Sequence, residues 1–195
     1  ATLTVTSGTG ASGNTKVTSD GIGTITINAA QQASNDVVLV GSSAFNVTNV
    51  ANGIDIDASS TSDAVAVATD NLVSGNALTV TAGTGNLTVG TGSSNGAATI
   101  TVAAANMIAS DTLSLSGGAG FQVNGITVDD VTVAATTNGI VAIDAANLVS
   151  AETLNLSGSS TFDVNNVGDG VDVFASLSSG LVDVATDTDA SLTVT

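Results

Sequence analysis

The chain has 195 residues, with 17 carboxylates set against a single cation, Lys16, a net charge of −16, and no Cys, His, Pro, Trp, Tyr or Arg. That palette excludes disulfides, thiolate metal sites and imidazole acid–base chemistry, and it leaves only Asp, Glu, Ser and Thr for roles that normally need a base beside a nucleophile. The charge repels phosphate backbones and anionic membranes, because such binding needs clustered Lys and Arg, so nucleic acid and direct membrane insertion are not expected.

Apolar residues make up 43% and aromatics 2%, so any core must be built from Val, Ile, Leu and Ala, which suits thin layers better than a globular centre. No run of 18 apolar residues occurs, and the chain opens Ala-Thr-Leu-Thr-Val-Thr, without a start Met or a basic and apolar leader, as in mature or excised material. Scarce Lys with abundant Thr, Asn, Ser and Gly is common in proteins exported across a bacterial envelope. An extracellular, cell-surface location is the expectation.

In chain order, residues 1–30 read as a partial repeat, followed by repeats at 31–70, 71–105, 106–146 and 147–184 and a partial repeat at 185–195. The first strand segments, beginning at Gln31, Asn71, Asn106 and Asn147, align without gaps, with starts 40, 35 and 41 residues apart. In the first full copy the strands fall at 36–41, 45–50, 54–58 and 63–69, short, alternating and rich in Val, Ile and Thr. A second strand follows each first one, centred on Phe45, Leu87, Phe121 and Phe162, which predicts a stacked interior ladder of large side chains. The third element is closer still: Asn49-Val-Ala-Asn-Gly-Ile-Asp-Ile and Asn166-Val-Gly-Asp-Gly-Val-Asp-Val match position for position across 117 residues. Leu3-Thr-Val and Leu192-Thr-Val look like partial copies of the first strand, as if a longer array were cut mid-pattern.

Between the strands lie Asx-Gly pairs, among them Asp20-Gly21, Asn52-Gly53, Asn124-Gly125 and Asp169-Gly170, which accept the positive φ of tight turns. A helical turn is predicted only before the first strand, as in Asp144–Glu152. Connections too short for crossover helices and a 35–41-residue period predict an all-β parallel β-helix, or β-solenoid, in which each coil buries its inner face on its neighbours. Ig-like β-sandwich modules are the alternative, although they repeat at roughly 100 residues and keep a core Trp or a tyrosine corner.

The Asx-Gly repeats, the Thr/Val/Ala/Asp composition and the near absence of basic residues resemble the β-solenoid regions of bacterial S-layer proteins and giant adhesins exported by type I secretion. The calcium-binding nonapeptide of that group, Gly-Gly-x-Gly-x-Asp, is not intact: Gly117-Gly118-Ala119-Gly120-Phe121-Gln122 has Gln122 where Asp belongs, so no site is carried over there.

Hard cations take carboxylate and carbonyl oxygens in loops, which makes calcium the candidate cofactor. Asp163, Asp169 and Asp172 in one copy and Asp55 and Asp57 in another flank Asx-Gly turns and are the candidate ligands; Asp55 and Asp172 hold equivalent repeat positions, so carboxylates are expected close together on stacked coils. Asp183, Asp187 and Asp189 cluster near the end. Solvated turn aspartates are the competing interpretation. Five Thr-x-Thr pairs, from Thr4/Thr6 to Thr193/Thr195, suggest ice binding as a remote alternative, but Ser114, Ser116, Asn155 and Ser157 break the ladder. Asn46, Asn86 and Asn155 begin N-glycosylation sequons of a kind this composition produces by chance. Asp129 and Asp130, read as neighbours in a strand, point to opposite faces and cannot share a catalytic groove. No enzyme activity is expected.

Two functions remain. One is a structural subunit of a surface assembly, an S-layer lattice or filament, self-associating through strand edges into a homo-oligomer or polymer. The other is a stalk or ligand-binding segment of a large secreted adhesin, with a surface glycan as partner.

Overall fold

Runs of alternating Val, Ile, Leu and Thr, broken by Gly, Asn, Asp or Ser, are long enough for strands and too short for helices. A computed structural model describes residues 3–6, 14–30, 36–51, 53–69, 72, 77–92, 98–186 and 193–194. Among these there is no helix, and the strands are β1 (Leu3–Thr6), β2 (Thr15–Thr18), β3 (Thr24–Asn28), β4 (Val37–Gly41), β5 (Ala44–Thr48), β6 (Ile56–Thr61), β7 (Val65–Thr69), β8 (Ala77–Thr81) and β9 (Leu87–Thr91). The chain continues through β10 (Thr99–Ala103), β11 (Thr112–Gly117), β12 (Gly120–Asn124), β13 (Val131–Thr137), β14 (Ile140–Asp144), β15 (Thr153–Gly158), β16 (Thr161–Val167), β17 (Asp172–Ser178), β18 (Val182–Thr186) and β19 (Thr193–Val194).

Odd-numbered strands form a ten-stranded sheet and even-numbered strands a nine-stranded one. Every neighbouring pair is parallel. Successive strands therefore lie in opposite sheets, and the chain winds as a parallel β-solenoid with two strands per coil. Phe121, Val141, Phe162 and Val182 are register partners in consecutive coils, at steps of 20, 21 and 20 residues. The antiparallel sheets of an Ig-like sandwich are excluded.

Side chains alternate inward and outward along each strand, so the apolar half of the pattern is buried between the two sheets. Ile27, Val47, Val89 and Leu113 on one sheet, and Leu39, Leu78, Ile100 and Val123 on the other, have no solvent exposure at all. At the corners the turn must bring the next coil directly against the previous one. Gly117 and Gly158 meet this need with φ of 108° and 105°, and a Cβ on either would run into the carbonyl oxygen of Thr91 or Ala135 in the coil before. Buried hydroxyls close the same corners: Ser160 Oγ accepts from the Thr137 amide at 2.6 Å, and Thr91 Oγ1 accepts from the Ala119 amide at 3.2 Å.

The sequence repeat and the coil are different units. Repeats 31–70 and 106–146 each hold four strands, two coils, whereas 71–105 holds three, β8 to β10. The 35-residue step is thus one and a half coils, and it moves the aligned segments from one sheet to the other. This corrects the single ladder. Phe45 and Leu87 lie in the ten-stranded sheet with Val65 between them, while Phe121 and Phe162 lie in the nine-stranded sheet with Val141 between them. A second correction concerns the predicted helical turn before the first strand. It is two successive turns, closed by the Leu148 amide on the Ala145 carbonyl at 3.0 Å and the Glu152 amide on the Val149 carbonyl at 3.1 Å.

Phe162 is completely buried and Phe174, the fourth phenylalanine, is 39% exposed on the outside of β17. Phe162→Ala should therefore lower unfolding stability by about 3–5 kcal/mol, and Phe174→Ala by less than about 1 kcal/mol. Denaturant melts of the two variants check this; equal losses would mean that the register is wrong.

Candidate functional site

Asp serves this fold first as a turn residue, because its carboxylate accepts from backbone amides that the corner leaves unpaired. Of the candidate ligands, Asp55 accepts from the Thr79 amide of the following coil at 2.7 Å. Asp57 accepts from the Ser59 amide at 3.0 Å, and Asp163 from the Asn165 side-chain amide at 3.0 Å. Asp169 and Asp172 stand at either side of the Gly170 turn, the first exposed and the second half-buried.

The structure does not bring these five together. Asp55 precedes β6 in the nine-stranded sheet, and Asp172 opens β17 in the ten-stranded sheet, so their equivalent repeat positions do not stack. The cause is again the half-coil offset. Their local surroundings do match: Asn49 and Asn166 have φ of 56° and 59°, Gly53 and Gly170 of 73° and 77°, and Val50 and Val167 are both fully buried. Among the described residues no three Asp or Glu side chains converge on one point. Asp187 and Asp189 lie outside the described residues, while Asp183 is the register partner of Asp163 in the adjacent strand.

Asp129 and Asp130 sit in a turn, not in a strand as read from the sequence, and Asp130 has φ of 60°. Asp129 Oδ1 accepts from the Asp130 amide at 2.9 Å and the Thr153 amide at 2.6 Å, which ties the corner before β13 to the coil after it. Asp111 and Glu152 do the same work in their own turns, accepting from the Ile108 amide at 2.8 Å and the Val149 amide at 2.7 Å. Sequence reasoning passed over both. The signal was the shared spacing after Asn106 and Asn147.

The two outer faces differ in charge. On the nine-stranded sheet Lys16, Asp57, Asp144, Asp163 and Asp183 occupy outward positions. On the ten-stranded sheet the outward positions from β3 to β15 are Thr, Ser, Asn, Ala and Gly only. Among the described residues each face carries a shallow cleft. The first, about 180 Å³, lies over Ala142 between Gln122, Asn124, Asp144 and Asn165; the second, about 140 Å³, lies between Phe174 and Leu177 above Thr132, Asn155 and Ser157. Both are smaller than the roughly 300–1,000 Å³ of ordinary small-molecule pockets. No helix of the described residues is long and apolar enough to cross a membrane. Compared with protein-family models, curated proteins and solved structures, the chain matches none.

Asp129→Ala should cost about 1–2 kcal/mol, because two amides lose their acceptor. Asp183→Asn should not lower stability, since it relieves a carboxylate pair on adjacent strands. Urea titrations distinguish these outcomes. An unchanged midpoint for Asp129→Ala would make that turn aspartate dispensable.

Proposed function

We propose that this chain is a non-enzymatic structural subunit of an extracellular surface assembly, a lattice or filament that grows by self-association of β-repeat segments. The observation that carries this reading is the all-parallel stack itself: among the described residues each strand pairs only with strands of the neighbouring coils, in two sheets that run the length of the stack. A coil of a second copy can continue such a ladder by strand addition, with the same hydrogen bonds and the same inward apolar pattern. The stalk of a secreted adhesin needs the same rod but no association between copies. Electron microscopy and sedimentation of the purified chain separate the two: ordered fibres or arrays with concentration-dependent mass are expected, and isolated monomeric rods at high concentration would overturn the assembly.

Calcium belongs to the same proposal. Asp169 and Asp172, beside the backbone carbonyls of the turn from Asn166 to Gly170, are the proposed ligands, and a cation there relieves part of the −16 charge. A thermal melt in calcium should show a higher midpoint than in chelator or in sodium chloride of equal ionic strength, because coordination is specific and screening is not. Identical melts in all three would remove calcium from the proposal.

A further inference from the structure

We propose that the uncharged outer face of the ten-stranded sheet is a lateral docking surface for a second copy of this chain. The inference rests on the assembly reading above and adds a contact along the side of the rod, distinct from strand addition at its ends.

Charge is what selects this face. Two chains of −16 each can meet closely only where carboxylates are absent. From β3 to β15 the central outward column runs Thr26, Asn46, Ala66, Thr88, Ser114, Ala134, Ser157, and every member is small and neutral. The outward carboxylates of the opposite sheet point away from this face, at least one sheet spacing of about 10 Å behind it. The face is also not uniform. At β17 the register slips between Asn155 and Ser157, and this bulge puts Phe174 and Leu177, 39% and 78% exposed, on the same side. They are the only large apolar side chains among the outward positions of β3 to β17.

The edges of the face fix the arrangement. Asp63, Asp111, Asp129, Asp130, Glu152 and Asp172 all lie where strands of this sheet begin, whereas in the connections that leave its strands the described carboxylates are Asp36 and Asp55, at the far side beside β4 and β6. A two-fold axis along the stacking direction places the more acidic edge of one copy over the less acidic edge of the other. It also sets Phe174 and Leu177 against the same residues of the partner copy. Turning the copies the other way would align the two acidic edges. Eight strands at about 4.8 Å and five residues at about 3.3 Å give a face of about 38 by 17 Å, or roughly 1,300 Å² over both copies. That is at the lower end of the size of specific interfaces.

The absence of cysteine makes the test clean, because single-cysteine variants report only the position chosen. Under mild oxidation Ser114→Cys and Ala134→Cys, on the central column, should each cross-link to themselves in high yield. Thr101→Cys, outward on the opposite sheet, should not. Ala134→Glu should weaken lateral association in sedimentation by at least tenfold, while Thr101→Glu, with the same added charge, should leave it unchanged; a matched thermal melt verifies that both fold. Adding sodium chloride should not weaken the wild-type association, because the two copies meet without ion pairs and screening reduces their mutual repulsion; dissociation by salt would overturn the interface. Cross-linking at Thr101→Cys, or association that persists in Ala134→Glu, would overturn this interface while leaving assembly intact. A wild-type chain that stays monomeric would overturn both.

Discussion

The structure depends on one constraint: in a parallel solenoid each coil finds its hydrogen-bond partners only in the coils above and below, and buries its apolar side chains between its own two strands and theirs. Among the described residues no strand pairs with anything but the neighbouring coils. Inward positions must therefore hold side chains that fill a gap of about 10 Å between two sheets without competing across it, which is why Val, Ile and Leu dominate and why Phe45, Phe121 and Phe162 are each flanked in register by smaller residues such as Ile25, Val65, Ile100, Val141 and Val182. Two large rings in successive coils on one sheet would overfill the layer. A valine between them keeps the thickness constant.

The same constraint explains where the polar residues sit. A corner must reverse the chain within a few residues and still climb one strand spacing, and its amides then have no sheet partner. Asp111, Asp129 and Glu152 accept from them, and Thr91 and Ser160 do so from inside the stack. Most of the negative charge is in this sense a by-product of turning. It collects along corners and on the outside of the nine-stranded sheet, and the ten-stranded sheet is left with a neutral outer face. A rod that is charged on one side and along its edges, yet neutral on the other side, has a built-in direction for lateral contact. The asymmetry of the described molecule lies between its two outer faces.

Local chemistry could be read from single segments. The alternation at 36–41 and 63–69 predicts β4 and β7 to within two residues, because inward and outward positions in a strand have a period of two whatever lies around them. Asn49 with Gly53 and Asn166 with Gly170 predict the same corner twice, since positive φ is a property of the residue and its turn. The acidic composition and the absence of His and Cys likewise bound the chemistry without reference to the fold.

Tertiary structure decided how the segments are phased. A coil has two nearly equivalent inward sides, and a segment such as Thr112–Gly117 fits either, so the repeat alignment alone does not say which sheet receives it. Only counting strands along the folded chain shows that the 35-residue step is an odd number, and that step separates Phe45 from Phe121 and Asp55 from Asp172. The neutral face has the same origin. Its members come from seven strands spread over some 135 residues, each unremarkable alone, and the parallel stack is what lays them side by side.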